Sequence, residues 1–204
     1  MSGRAVRSGG RLPWARLAAE FATIVLGVLL ALGVSQWWEG REDEAAVRST
    51  LAAFHAELVR NRDVLERRLS YHETLIPRLD SLSVLARADG LDVMSAQPFP
   101  EGTMFLPLSN AAWTTAVATQ SIGLVEPDTL RPIAAAYTSQ DVLRELERAG
   151  TAALYVPRSF ERENAASTLA YARVLFGDIV ADERRVLVII DRALEVLAPS
   201  AGRL

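Results

Sequence analysis

His55 and His72 are the only two imidazoles in the chain, and imidazole is the side chain best suited to proton transfer and metal binding near neutral pH. They stand seventeen residues apart on one helical pattern. His72-Glu73 lacks the second histidine that a helical zinc motif needs one turn on. There is no Cys, and every one of the 22 basic residues is Arg. Thiolate metal sites, cysteine nucleophiles, Schiff-base lysines and the phosphate-binding Walker lysine are therefore all excluded. No Gly-x-Gly-x-x-Gly, Gly-x-Ser-x-Gly or Asp-rich calcium loop occurs. Glu42-Asp43-Glu44 and Asp182-Glu183 read as solvated helix surface, the second pair flanked by Arg184 and Arg185. Arg60, Arg67 and Arg68 are interleaved by Glu57, Asp63 and Glu66, which dissolves any basic patch. The expectation is a non-enzyme with no catalytic residue, cofactor or metal, and with both histidines as part-buried polar groups on an amphipathic helix.

The elements that would carry such residues fall into two kinds. From Phe21 to Trp38 the chain reads FATIVLGVLLALGVSQWW, without a charge. Extended back to Leu17, interrupted only by Glu20, the run makes a helix of about 33 Å, enough to cross a hydrocarbon core of about 30 Å. Trp14 stands at one end and Trp37 and Trp38 at the other, where amphipathic rings settle at a bilayer surface. A cleavable signal peptide is the competing reading, with Gly33 and Ser35 as small residues near a cleavage site. Its apolar core should be shorter, about 7–15 residues, and bulky tryptophans should not follow at once. The division expected is a basic cytoplasmic N-terminus over 1–16, a transmembrane helix over 17–38 and an extramembrane domain over 39–204. Arg4, Arg7, Arg11 and Arg16 precede the span and only Arg41 and Arg48 closely follow it. That excess places the N-terminus in the cytoplasm and the C-terminal domain outside.

Residues 1–20 carry four Arg against Glu20, or +3; a net charge of −3 then leaves −3 − 3 = −6 on the rest. So acidic a remainder argues against nucleic acid as a partner. Within the span Ala19, Thr23, Gly27, Ala31 and Ser35 recur every fourth residue. Glu20, Thr23, Gly27 and Ala31 share a helical face, a candidate packing seam where a second backbone can approach closely.

Beyond Gly40 the apolar period is that of a soluble helix: Val47, Leu51, Phe54, Leu58, Leu65, Leu69, His72 and Leu75. Pro77 suggests a kink or restart. Polar seam positions at Asn61 and His72 favour a helix packed on its own domain over a two-stranded coiled coil. Residues 90–107, with Pro98, Pro100, Gly102 and Pro107, read as a loop. Ser109 offers an N-cap for a helix over 110–120 with Gly123 as a stop, and Pro127-Asp128 opens another helix towards Gly150. The last helix carries Ala172, Leu175, Ile179, Val186, Ile189, Ala193 and Leu197, with Pro199 at its end. The fold class expected is all-α: a transmembrane helix followed by an extramembrane antiparallel helical bundle with long first and last helices.

The order of Glu20, IVLGVLLAL and Trp38-Glu39, then NAAWTTAVATQSIGLV, Leu130 and Ala136-Tyr137-Thr138-Ser139-Gln140, resembles an uncharacterised bacterial family of single-span, membrane-anchored helical proteins. The resemblance covers about residues 15–140. It implies one span and a helical domain, and carries no activity. Within it Trp113, Tyr137 and Gln140 are the candidates for an inter-helix pocket or for core anchors. The function expected is a membrane-anchored accessory or scaffold protein, with the lipid bilayer and a protein partner or a second copy as its contacts. The alternative is a small-ligand sensor domain, binding near Trp113 and signalling through a partner.

Overall fold

The computed structural model describes residues 14–89 and 92–201. The readings that rest on Arg4, Arg7, Arg11 and Gly90 lie outside them. Of the described residues 88% are helical and none forms a strand. The long helices are α1 (Trp14–Asp89), α4 (Pro127–Leu154) and α5 (Ala165–Ala201), with short α2 (Val93–Ala96) and α3 (Ala111–Ala118) before α4. The chain divides into two compact units, Met1–Ala45 and Ala46–Leu204.

In the first unit one helix is long and apolar enough to cross a membrane. Its most apolar window has mean hydropathy 2.3, and none of that window is buried. Phe21, Ile24, Leu29, Leu30, Trp37 and Trp38 are all exposed. Thr23 Oγ1 donates to the Ala19 carbonyl at 2.9 Å, so its hydroxyl is satisfied within the helix. Arg41 stacks over the Trp37 ring at 5.1 Å.

The second unit is built by the stripes of three helices. Along α1 the buried positions are Phe54, Leu58, Leu65, Leu75 and Leu79; α4 adds Ile133, Ala136 and Leu143; α5 adds Leu169, Phe176, Ile179, Val186 and Ile190. Side-chain pairs set the directions. From α1 to α5, Arg62 meets Asp191, Arg68 meets Glu183 and Asp80 meets Arg173, so numbers rise on one as they fall on the other. From α1 to α4, Glu57 meets Tyr137, Asn61 meets Gln140 and Arg68 meets Glu147, so both rise together. A bundle antiparallel throughout does not fit these pairs. Residues 92–126 carry the chain back before α4 begins, which lets α4 run the same way as α1.

Several boundaries differ from the sequence reading. Helix α1 continues through Pro77. A proline inside a helix costs about 3 kcal/mol, but Leu75 and Leu79 on either side of it are fully buried, each worth about 1.5–3 kcal/mol. Helix α5 extends to Ala201, past Pro199, and two 3-10 turns at Pro157–Phe160 and Arg162–Asn164 precede it. Helix α3 begins at Ala111; Ser109 Oγ still accepts from the Ala111 N–H at 3.3 Å. Gly123 lies inside a 3-10 turn, Ser121–Leu124. At Gly150 α5 presses closely on α4: a Cβ there would lie 2.3 Å from Leu175 Cδ1.

Candidate functional site

Two polar clusters are buried in the helical domain, and both hang on α1. The first contains two of the three residues singled out at its centre. Tyr137 and Gln140 lie one turn apart on α4 and are 3% and 1% exposed, while Trp113, on α3, is half-buried. Trp113, Tyr137 and Phe54 form a ring triad with centroids 5.2–6.0 Å apart. Beneath it lies Glu57, a carboxylate only 2% exposed. It accepts from the Tyr137 hydroxyl at 2.8 Å, the Ser109 hydroxyl at 2.5 Å and the Ala112 N–H at 3.1 Å. The Ala112 N–H belongs to the first turn of α3, where helix N–H groups lack partners. Glu57 thus caps α3 from another helix.

Asn61, one turn on, matches the backbone of Ser109 like a strand. Its Nδ2 donates to the Ser109 carbonyl at 2.7 Å and its Oδ1 accepts from the Ser109 N–H at 2.9 Å. This fixes the amide orientation, and the second Nδ2 hydrogen then goes to Gln140 Oε1 at 2.9 Å. Gln140 Nε2 is left buried without a hydrogen-bond partner. Burial pushes the Tyr137 phenol far above its usual range, and the hydrogen bond to Glu57 pushes it the same way. Tyr137 is therefore a fixed neutral donor.

The second cluster corrects the sequence reading. Glu183, taken there as solvated surface, is fully buried, and Arg68, taken as one of three interleaved surface arginines, is 1% exposed. Asp182, beside Glu183, is part-buried and pairs with the exposed Arg185. His72, taken as part-buried, is fully enclosed; His55 is half-buried. Arg68 Nε donates to Glu183 Oε1 at 3.0 Å, Nη2 pairs with Glu147, and Nη1 donates to the Leu106 carbonyl at 3.1 Å. His72 Nδ1 lies 3.0 Å from both Glu183 oxygens, and Nε2 lies 2.8 Å from the Thr103 carbonyl. A carbonyl only accepts, so Nε2 carries a hydrogen. Burial draws the Arg68 guanidinium below its usual range and Glu183 opposes that, yet a guanidinium stays ionised in proteins.

Together these side chains hold a strap. The backbone of residues 96–106 has left-handed φ at Gln97, Gly102 and Met104 and cannot form regular ladders. Its carbonyls are met instead by one face of α1: Arg78 at Ala96 and Gln97, Tyr71 at Gly102, His72 at Thr103 and Arg68 at Leu106. Side chains here do the work that backbone pairing does elsewhere.

A signal for the missed residues exists in the spacing. Steps of three and four from Phe54 run 54, 58, 61, 65, 68, 72, 75, 79, which includes Arg68. On α5 the run 176, 179, 183, 186, 190 includes Glu183, and on α4 the run 136, 140, 143, 147, 150 includes Glu147. A charged residue inside an otherwise apolar stripe marks a buried partner.

The seam residues Glu20, Thr23, Gly27 and Ala31 are all exposed on the first unit, and no atom beyond the helix's own backbone and chain neighbours comes within 4 Å of a Cβ built at Gly27. No protein-family model matches this sequence, and no curated protein or solved structure matches it either. Fold and geometry therefore define the class: among the described residues, an all-helical protein with one helix long and apolar enough to span a membrane.

Proposed function

We propose that this is a single-pass protein of a bacterial inner membrane, anchored by residues 17–38 with its N-terminus in the cytoplasm. Its helical domain stands on the extracytoplasmic side and acts through protein contacts as an accessory or scaffold component. The domain is a helical bundle in which α5 runs antiparallel to α1 and α4. The observation that carries the reading is the unburied apolar run. Leaving an eighteen-residue apolar stretch unburied in water costs about 25 cal/mol per Å², which supports placing it in an apolar surrounding. The buried carboxylates Glu57, Glu147 and Glu183 are occupied in holding helices together, which supports a scaffold over an enzyme. Its membrane contact is the face of Thr23, Gly27 and Ala31, where a partner helix or a second copy approaches closely.

Two measurements test this. A reporter active only outside the cytoplasm, fused after Leu204, should work, and a cytoplasmic one should stay dark; the reverse pattern overturns the orientation. In a membrane two-hybrid assay, Gly27→Leu and Ala31→Leu should each weaken association by about 1–2 kcal/mol. Leu26→Ala, off the ridge, should change little. Equal association in all four proteins would remove the seam.

A further inference from the structure

The strap does more than close the fold: residues 97–102 roof a cavity of about 340 Å³. Its other wall is the C-terminal end of α4 and the start of α5, at Leu154, Tyr155, Thr168 and Leu169. We propose that this cavity binds a small, uncharged aromatic molecule bearing one hydrogen-bonding group.

Size comes first. The volume is at the low end of small-molecule sites, which run from about 300 to 1,000 Å³. It suits a ring or a fused pair of rings and excludes a helix, which is about 10 Å across. Charge comes second. No side chain lining the cavity is ionisable except the Tyr155 phenol, although arginines and carboxylates cover the surrounding surface. An ionised ligand would give up its hydration with nothing to pair with, which costs several kcal/mol or more. Wall chemistry comes third. Phe99 and Tyr155 supply aromatic faces, and Gln97 and Thr168 supply a donor and an acceptor near the apolar surface.

The roof is also preformed. Arg78 and Tyr71, neither of which lines the cavity, hold the Gln97 and Gly102 carbonyls, and Phe99 rests on Phe176 with centroids 5.3 Å apart. Gln97 is kept at φ +44°, a conformation that costs a non-glycine residue about 1 kcal/mol or more unless its surroundings impose it. A roof ordered before the ligand arrives leaves less ordering to be done on binding. The site lies at the strap and not beside Trp113, and it is independent of the protein-contact reading.

The test uses full-length protein in lipid nanodiscs, with saturation-transfer NMR of indole and empty nanodiscs as the blank. Indole should give a saturable signal above the blank, and benzoate, a ring of similar size with a full charge, should give none. Thr168→Trp fills the cavity and should weaken indole binding at least about tenfold, or about 1.4 kcal/mol. Tyr155→Ala, at a position 54% exposed, should weaken it as well while keeping the helical circular-dichroism signal, and decides the matter if the tryptophan variant loses that signal. An indole signal no stronger than the blank, one unchanged in the variants, or benzoate binding as well as indole would each overturn the proposal.

Discussion

Glu57 and Glu183 are buried to the same degree, 2% and 0% exposed, and each is held in a different way. Glu57 is surrounded by dipoles: a phenol, a serine hydroxyl and a helix N–H. Glu183 is held by the Arg68 guanidinium and a His72 ring nitrogen, with Glu147 balancing the far side of the arginine. Desolvating a carboxylate is costly in either case. Dipoles can be removed one at a time, each at a modest cost. The ionic cluster shares its charges, so deleting one member strands the others. The first arrangement positions a short helix; the second ties α1, α4, α5 and the strap at one point.

The sharpest way to break this comparison is Arg68→Met. It leaves Glu147 and Glu183 buried without their common cation, and removing one partner of a buried ion pair costs about 3–5 kcal/mol. Thermal unfolding of the full-length protein in mild detergent should show a large fall in Tm for the helical domain. Adding Glu147→Gln and Glu183→Gln to the same chain should recover part of it, because neither carboxylate of this cluster is then left buried without a cation. A small loss in the single variant would mean that water or a neighbouring cation reaches the cluster.

Tyr137→Phe tests the dipole arrangement and should cost less, about 1.5–3 kcal/mol for a hydrogen bond to a charged group. It also has a pH signature. The folded phenol titrates above its unfolded value of about 10, so the native state holds its proton more tightly. The stability this contributes is fully present below about pH 10 and is lost as pH rises beyond it. The parent should lose stability above that point more steeply than Tyr137→Phe. Parallel curves would show that the phenol is not sealed.

The helices themselves were legible because an apolar period near 3.6 survives in every long segment, and the exposed run over 17–38 needs no tertiary information to be seen. The clusters were less so. Arg67 and Arg68, or Asp182 and Glu183, are adjacent in sequence yet about 100° apart on a helix, so composition cannot say which member faces inward; only the stripe can. Even the stripe could not pair Arg68 with Glu183, which lies 115 residues away. That pairing depends on α5 running antiparallel beside α1, and no local period in the sequence says which helix lies beside which. The cavity under the strap was invisible for the same reason: its walls are brought together by side chains from α1 gripping irregular backbone.

The smallest expected effect gives the comparison its outer limit. Arg148 and Glu145 form a two-contact ion pair on α4, at 2.8 and 3.1 Å, with geometry as good as that of Arg68 and Glu183. The hydrogen bond and the charge of each partner raise the Arg148 value and lower that of Glu145. Yet both side chains stand in water, where the attraction is screened and holding two long side chains in place consumes most of the gain. Arg148→Ala should leave the unfolding temperature of the full-length protein unchanged within error, at low and high salt alike. If it destabilised the domain as Arg68→Met does, burial would not be what separates the two pairs. The contrast between a sealed cluster and a surface pair would then have to come from geometry alone.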